Sequence, residues 1–252
     1  MLQTIATTLW QTILYLIIIP GILGTGLVLI NRNSKGQVVN YFGFRAQIFG
    51  GWLGIIIHET SHLLMAIIFG HHITSFRLLR SPRRNDPTDN SLGYVNHTWN
   101  QHNFYQQTGN VLIGISPIIG NTIAIYFITK WLLPATLTSW QDLLTNHEFI
   151  SPMLISPTYG FLGFLLWVLL VINICLGGFD LSSADLKNSA LGLISLAVFI
   201  IIIAVLVSLA SWNSSMVSGL QSVMIPFITA MLFALLIAII TNLVLRLIGH
   251  FL

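Results

Sequence analysis

The chain has 252 residues, of which 55% are hydrophobic and 7% charged, with a formal net charge of +3. Soluble domains carry about 25% charged residues, so the composition excludes a soluble domain and points to an integral membrane protein. The small, dispersed positive charge excludes a nucleic-acid partner, and the single cysteine, Cys175, excludes an intrachain disulfide.

Six apolar segments are long enough to cross about 30 Å of hydrocarbon as helices. They cover roughly 9–30, 48–70, 109–133, 157–176, 191–210 and 223–248. No internal repeat or separate soluble domain interrupts them, so residues 1–252 are expected to form one integral membrane domain. Residues 1–11 carry no Lys or Arg. The basic region of a cleaved signal peptide is therefore missing, and the first span is expected to be retained.

The second segment, 48–70, contains His58-Glu59-Thr60-Ser61-His62, an HExxH motif. Positions i and i+4 share a helix face, so both imidazoles can bind one metal ion, and Glu59 can act as general base on a metal-held water. Ionisable groups are costly in hydrocarbon, so such a cluster mid-span is a functional candidate.

The polar connection that follows holds Arg77, Arg80, Arg83 and Arg84, together with His71, His72, His97 and His102. The arginines suit anionic headgroups, and the histidines read as solvated interfacial or loop residues. Gly93-Tyr94-Val95 in the same connection is short enough for an edge strand. An edge strand beside an active site can hold an extended peptide segment by strand addition. On the third span, Asn121 is a candidate for bonding a substrate backbone or oxyanion; bridging between helices is its alternative role.

Catalytic zinc usually takes three protein ligands and leaves a position for water. The extended HExxHxxGxxH pattern fails at Met65 and Ile68. With six spans, Glu148 and Asp142 fall on the opposite face, and Asp86 and Asp89 lie in the Arg-flanked loop. Asp180 and Asp185 remain, in the segment 173–187 that opens the fifth span. Ser182 three residues before Asp185 also fits a helix-capping box, and Asp180 fits a turn after Gly177-Gly178.

Six spans place both termini on one side. Arg77, Arg80, Arg83, Arg84, Lys187 and Arg246 share that side, against Arg32, Lys35, Arg45 and Lys130 on the other. The excess puts both termini, the Arg-rich loop and the site-bearing end of the HExxH helix toward the cytoplasm of a multi-pass cell-membrane protein.

Several residues resemble the site-2 protease family of intramembrane zinc metalloproteases. They are HETSH on a membrane helix, the glycine-bearing segment Ser91-Leu92-Gly93-Tyr94-Val95, Ser116-Pro117-Ile118-Ile119-Gly120-Asn121, and Asn173 followed by Asp180. Both prolines of the family's Asn/Asp motif are absent, and Leu181 replaces its final glycine. The segment 181–187 is closer to a divergent bacterial branch in which a Ser-rich turn precedes an aspartate at a helix start. The resemblance covers about 48–210 and implies an all-α fold with a three-helix metalloprotease core and a small β element on the cytoplasmic face. It implies flanking spans at 9–30, 157–176 and 223–248, and one zinc ion per chain held by His58, His62 and Asp185, with Asp180 as the alternative.

The expected function is zinc-dependent cleavage of a peptide bond in or beside the bilayer, in a membrane-protein or membrane-associated peptide. The alternatives are a metal-binding transporter and an inactive protease-like scaffold. A transporter should show internal symmetry and polar residues along several spans, which this sequence lacks. A CAAX-processing zinc protease would need a downstream Glu ligand.

Overall fold

The structure is a computed structural model that describes residues 2–82, 91–146 and 158–251. Its elements are α1 (Leu2–Ile13), a π-helical turn (Leu14–Ile18), α2 (Ile19–Ile68), β1 (His72–Arg77), β2 (Tyr94–Thr98), α3 (Phe104–Leu132), α4 (Pro134–Asn146), α5 (Gly160–Gly178), α6 (Ser183–Leu209) and α7 (Asn213–Phe251). Five of the described helices are long and apolar enough to cross a membrane. The chain is thus an all-helical, multi-pass membrane protein with a small sheet.

The first of these apolar helices, Gln3–Ile68, has 66 residues, about 100 Å if straight and roughly three hydrocarbon thicknesses. It is not straight. Gly43 leaves the helical conformation at φ 79° and ψ 171°, a region open to glycine because it has no Cβ. Gly24 and Ser61 would be about 55 Å apart on a straight helix. Instead Gly24 packs on Ile118 and Ser61 on Gly120, two residues apart on α3. The chain folds back at Gly43 into a first arm (residues 19–42) and a second arm (residues 44–68), as the two expected spans require.

α3 runs antiparallel to the second arm, pairing Gly120 with Ser61 and Gly109 with Phe69. Along α3 in the opposite direction come α5 and then α6. Thr158 bonds Leu132, Trp167 bonds Thr129, Asn121 bonds Gly178, Ser189 bonds Val111 and Ser195 bonds Gln107. α5 and α6 therefore continue in one direction across a break at residues 179–182. α7 runs parallel to α1 and the first arm: Asn213 meets Thr8, Gln221 meets Tyr15, Met231 meets Gly24, and Gly249 meets Tyr41.

This corrects the expected topology. Residues 8 and 213 lie at one end of the bundle, and residues 41 and 249 at the other. The two termini are at opposite ends, not on one side. Hydropathy measures apolar length but not direction, and the break at 179–182 bends the chain without reversing it. The same break brings Arg32 and Lys35, expected on the opposite face, against Asp180.

The buried core joins Val171, Ile174 and Phe179 with Ile125 and Leu132 of α3 and Ala230, Met231 and Ala234 of α7. The second arm crosses α5 where Gly51 and Gly54 meet Gly177 and Gly178. Small residues allow this close approach of backbones, as at helix crossings in membranes generally. β1 and β2 pair antiparallel, with Phe76 opposite Val95 and Arg77 opposite Tyr94.

Candidate metal centre

His58 and His62 occupy one face of the second arm, 8% and 7% exposed. His58 Nδ1 lies 2.9 Å from the Gly178 carbonyl, and His62 Nδ1 lies 2.8 Å from the Ile113 carbonyl. A carbonyl only accepts, so each Nδ1 carries a proton, and in the neutral imidazole each Nε2 then keeps a lone pair. The two Nε2 atoms are 3.2 Å apart, and Asp185 Oδ1 is 3.2 Å from His62 Nε2.

His58, His62 and Asp185 thus present three ligand atoms within 4.8 Å of one another. Three lone pairs facing each other without an intervening proton repel, unless a cation sits between them. Tetrahedral zinc with nitrogen ligands at about 2.0–2.1 Å spaces its ligands about 3.3 Å apart. The residues present fit a metal of that kind.

Asp185 reaches the site from the start of α6. Ser182 Oγ accepts from the Asp185 amide at 3.1 Å, and Asp185 Oδ2 accepts from the Ser182 amide at 2.7 Å. The capping box uses Oδ2 and leaves Oδ1 facing His62, so it does not preclude metal binding by Asp185. Asp180 is placed differently: Oδ1 accepts from Arg32 and Oδ2 from Lys35, both at 3.0 Å. With both oxygens paired to cations, Asp180 does not join the histidines, so the structure favours Asp185 over the alternative.

Glu59 is 8% exposed and faces Gly93, where a Cβ would lie 2.5 Å from its Cγ. Both line an open cleft of about 550 Å³, with His58, Lys35, Gln47, Asp180 and Ser182 among its walls. Gly93 precedes β2, and Tyr94 and Val95 lie within it, so the expected strand forms and its start touches the expected base.

Asn121 bonds in the manner of the bridging alternative. Its Nδ2 donates to the Pro117 and Gly178 carbonyls at 2.8 and 3.0 Å. It holds the end of α5 beside His58, so helix bridging is its role here. Asn173 also bridges helices, accepting from the Leu53 amide at 2.9 Å.

Of the histidines after the motif helix, His72 and His102 are exposed as expected, whereas His71 and His97 pack together. His71 is 6% exposed, and its Nδ1 is 2.9 Å from His97 Nδ1. It stacks on Trp99, with ring centroids 5.7 Å apart. Burial lowers both imidazoles, and the neighbouring His71 adds to the effect on His97, which is held at about 4. Arg83, Arg84, Asp86, Asp89 and Glu148 lie outside the described residues.

The sequence reading missed Arg32, Lys35 and Gln47, whose Nε2 donates to the Leu176 carbonyl at 2.7 Å. All three fall between the first two expected spans, 9–30 and 48–70, where polar residues read as a connection. No known family, curated protein or solved structure matches the chain.

Proposed function

We propose that the chain is a zinc-dependent intramembrane endopeptidase of the site-2 protease type. The convergence of His58, His62 and Asp185, with Glu59 beside them at the cleft, carries this reading. His58, His62 and Asp185 would hold one zinc ion. Zinc, when bound, lowers the pKa of its water to about 7 and polarises a carbonyl.

The chain's own residues do the rest. The Gly178 and Ile113 carbonyls orient the imidazoles, and such partners tune ligand basicity. Glu59 accepts the proton of the attacking water and delivers it to the leaving amine. The strand edge at Gly93, Tyr94 and Val95 holds the substrate extended, exposing a carbonyl that a helix would hide.

In this reading the catalytic core is the second arm, α3 and α6. The first arm and α5 complete the site rather than flank it. The chain crosses the bilayer in five legs, with α5 and α6 as one broken leg. The β1–β2 end, which carries Arg77 and Arg80, faces the cytoplasm of the cell membrane. The substrate is a membrane protein or membrane-associated peptide.

Glu59→Gln is the test. It should retain stoichiometric zinc while cleavage of reconstituted membrane-spanning peptides falls about 10²–10⁴-fold. A wild-type protein that binds zinc but cleaves none of them would favour the transporter. One that binds no zinc would favour the inactive scaffold.

A further inference from the structure

The break between α5 and α6 meets the metal centre at both of its ends. On the α5 side, the Gly178 carbonyl accepts from His58 at 2.9 Å and from Asn121 at 3.0 Å. On the α6 side, Ser182 caps Asp185, whose other oxygen faces His62 at 3.2 Å. The four residues between these helices, 179–182, therefore set the separation of an imidazole's anchor from the third ligand.

Those four residues are held from the first arm. Arg32 Nε donates to Asp180 Oδ1 at 3.0 Å, and Arg32 Nη2 donates to the Leu181 carbonyl at 2.6 Å. Lys35 Nζ donates to Asp180 Oδ2 at 3.0 Å. Phe179 and Leu181 are 0% and 3% exposed, so the backbone between the polar contacts is buried against the bundle.

We infer that Arg32 and Lys35 are positioning residues that clamp the 179–182 break, and through it hold Asp185 against His62. The inference rests on the reading of His58, His62 and Asp185 as a metal site. The first arm, outside the region of family resemblance, is then part of the centre.

Arg32 spans the break with two hydrogen bonds, to a side chain and to the next carbonyl. Such a fork suits a guanidinium and is not reproduced by an ammonium. The Arg32 side chain is 52% exposed, and exposed ion pairs add little to stability. Loss of the clamp should therefore show in metal affinity, with little change in folding. Partners outside the ligand set commonly govern affinity by about 10–100-fold.

The test uses the full chain in detergent, with Zn²⁺ affinity measured by chelator competition and the Co²⁺-loaded absorption spectrum as an independent readout. The metal-free melting temperature reports folding. Arg32→Met should weaken Zn²⁺ about tenfold or more and alter the Co²⁺ visible bands, at an unchanged metal-free melting temperature. Asp180→Asn, which removes the pairing from the loop side, should do the same. Arg32→Lys should recover part of the loss, since it keeps the pair with Asp180 but forfeits the Leu181 bond.

Wild-type affinity and spectrum in both Arg32→Met and Asp180→Asn would overturn the clamp while leaving the metal site standing. A wild-type chain that binds no Zn²⁺ or Co²⁺, or a His58→Ala variant that binds them equally well, would overturn the metal reading itself.

Discussion

Gly54→Ala tests whether the close crossing of the second arm and α5 sets the metal site. A Cβ at this position would lie 2.5 Å from the Ile174 carbonyl oxygen and 2.7 Å from the Gly178 amide nitrogen. Ordinary contact is about 3.4 Å or more, so the two backbones must separate by about 0.9 Å. Both obstructing atoms are backbone and cannot rotate away. His58 lies one turn further along the same arm, with Nδ1 2.9 Å from the Gly178 carbonyl. A separation of about 0.9 Å takes that contact beyond hydrogen-bonding range.

Overpacking should cost about 1–3 kcal/mol of stability, and loss of the histidine's anchor should weaken zinc about 10–100-fold. Chelator competition on the purified protein measures the affinity, and thermal melting measures the stability. Gly50→Ala is the control: its Cβ would meet only Leu176 Cδ1, at 3.6 Å, an ordinary contact. If Gly54→Ala bound zinc as tightly as Gly50→Ala, the crossing would not be what holds His58 in place.

Asp185→Ala should lose stoichiometric zinc in metal analysis, whereas Lys35→Ala should still bind it, with weakened affinity, because Asp185 supplies a ligand oxygen and Lys35 acts on it only through Asp180. Stripping the metal with a chelator should lower the melting temperature. Zinc at a thousand times its dissociation constant contributes about 4 kcal/mol, and without it three lone-pair donors face one another; an unchanged melting curve would argue against a bound cation. The His71–His97 contact should be pH-sensitive, since burial holds both imidazoles below their ordinary value, with His97 at about 4. The packed hairpin then binds fewer protons than an open one, so its packing is complete above about pH 6.5 and is lost as pH falls through the window toward 4. Amide exchange across residues 94–98 should therefore quicken on acidification from pH 7 to 5, corrected for intrinsic rates, and His97→Gln should flatten the response; equal protection at both pH values in the wild type would contradict this.

Local sequence determined a good deal here. Long apolar runs with few charges specify membrane helices, because an unpaired backbone is intolerable in hydrocarbon. The 3.6-residue period places His58 and His62 on one face without reference to anything distant. Ser182 and Asp185 announce a helix start at the right residue. Gly93 ahead of two β-prone residues marks the hairpin.

Long-range packing decided the remainder. Asp180 and Asp185 are indistinguishable as ligands by type and spacing. They are separated only because Arg32 and Lys35, about 145 positions earlier, take both oxygens of Asp180. Direction also lay beyond the sequence, since an apolar run reads the same whether the chain turns back after it or continues. The reversal rests on one glycine at Gly43, and the continuation of α5 into α6 rests on four residues at the break. Hydropathy records how much surface can face lipid, whereas the path of the chain is fixed by which backbones can approach each other, and that is settled only when the helices are packed together.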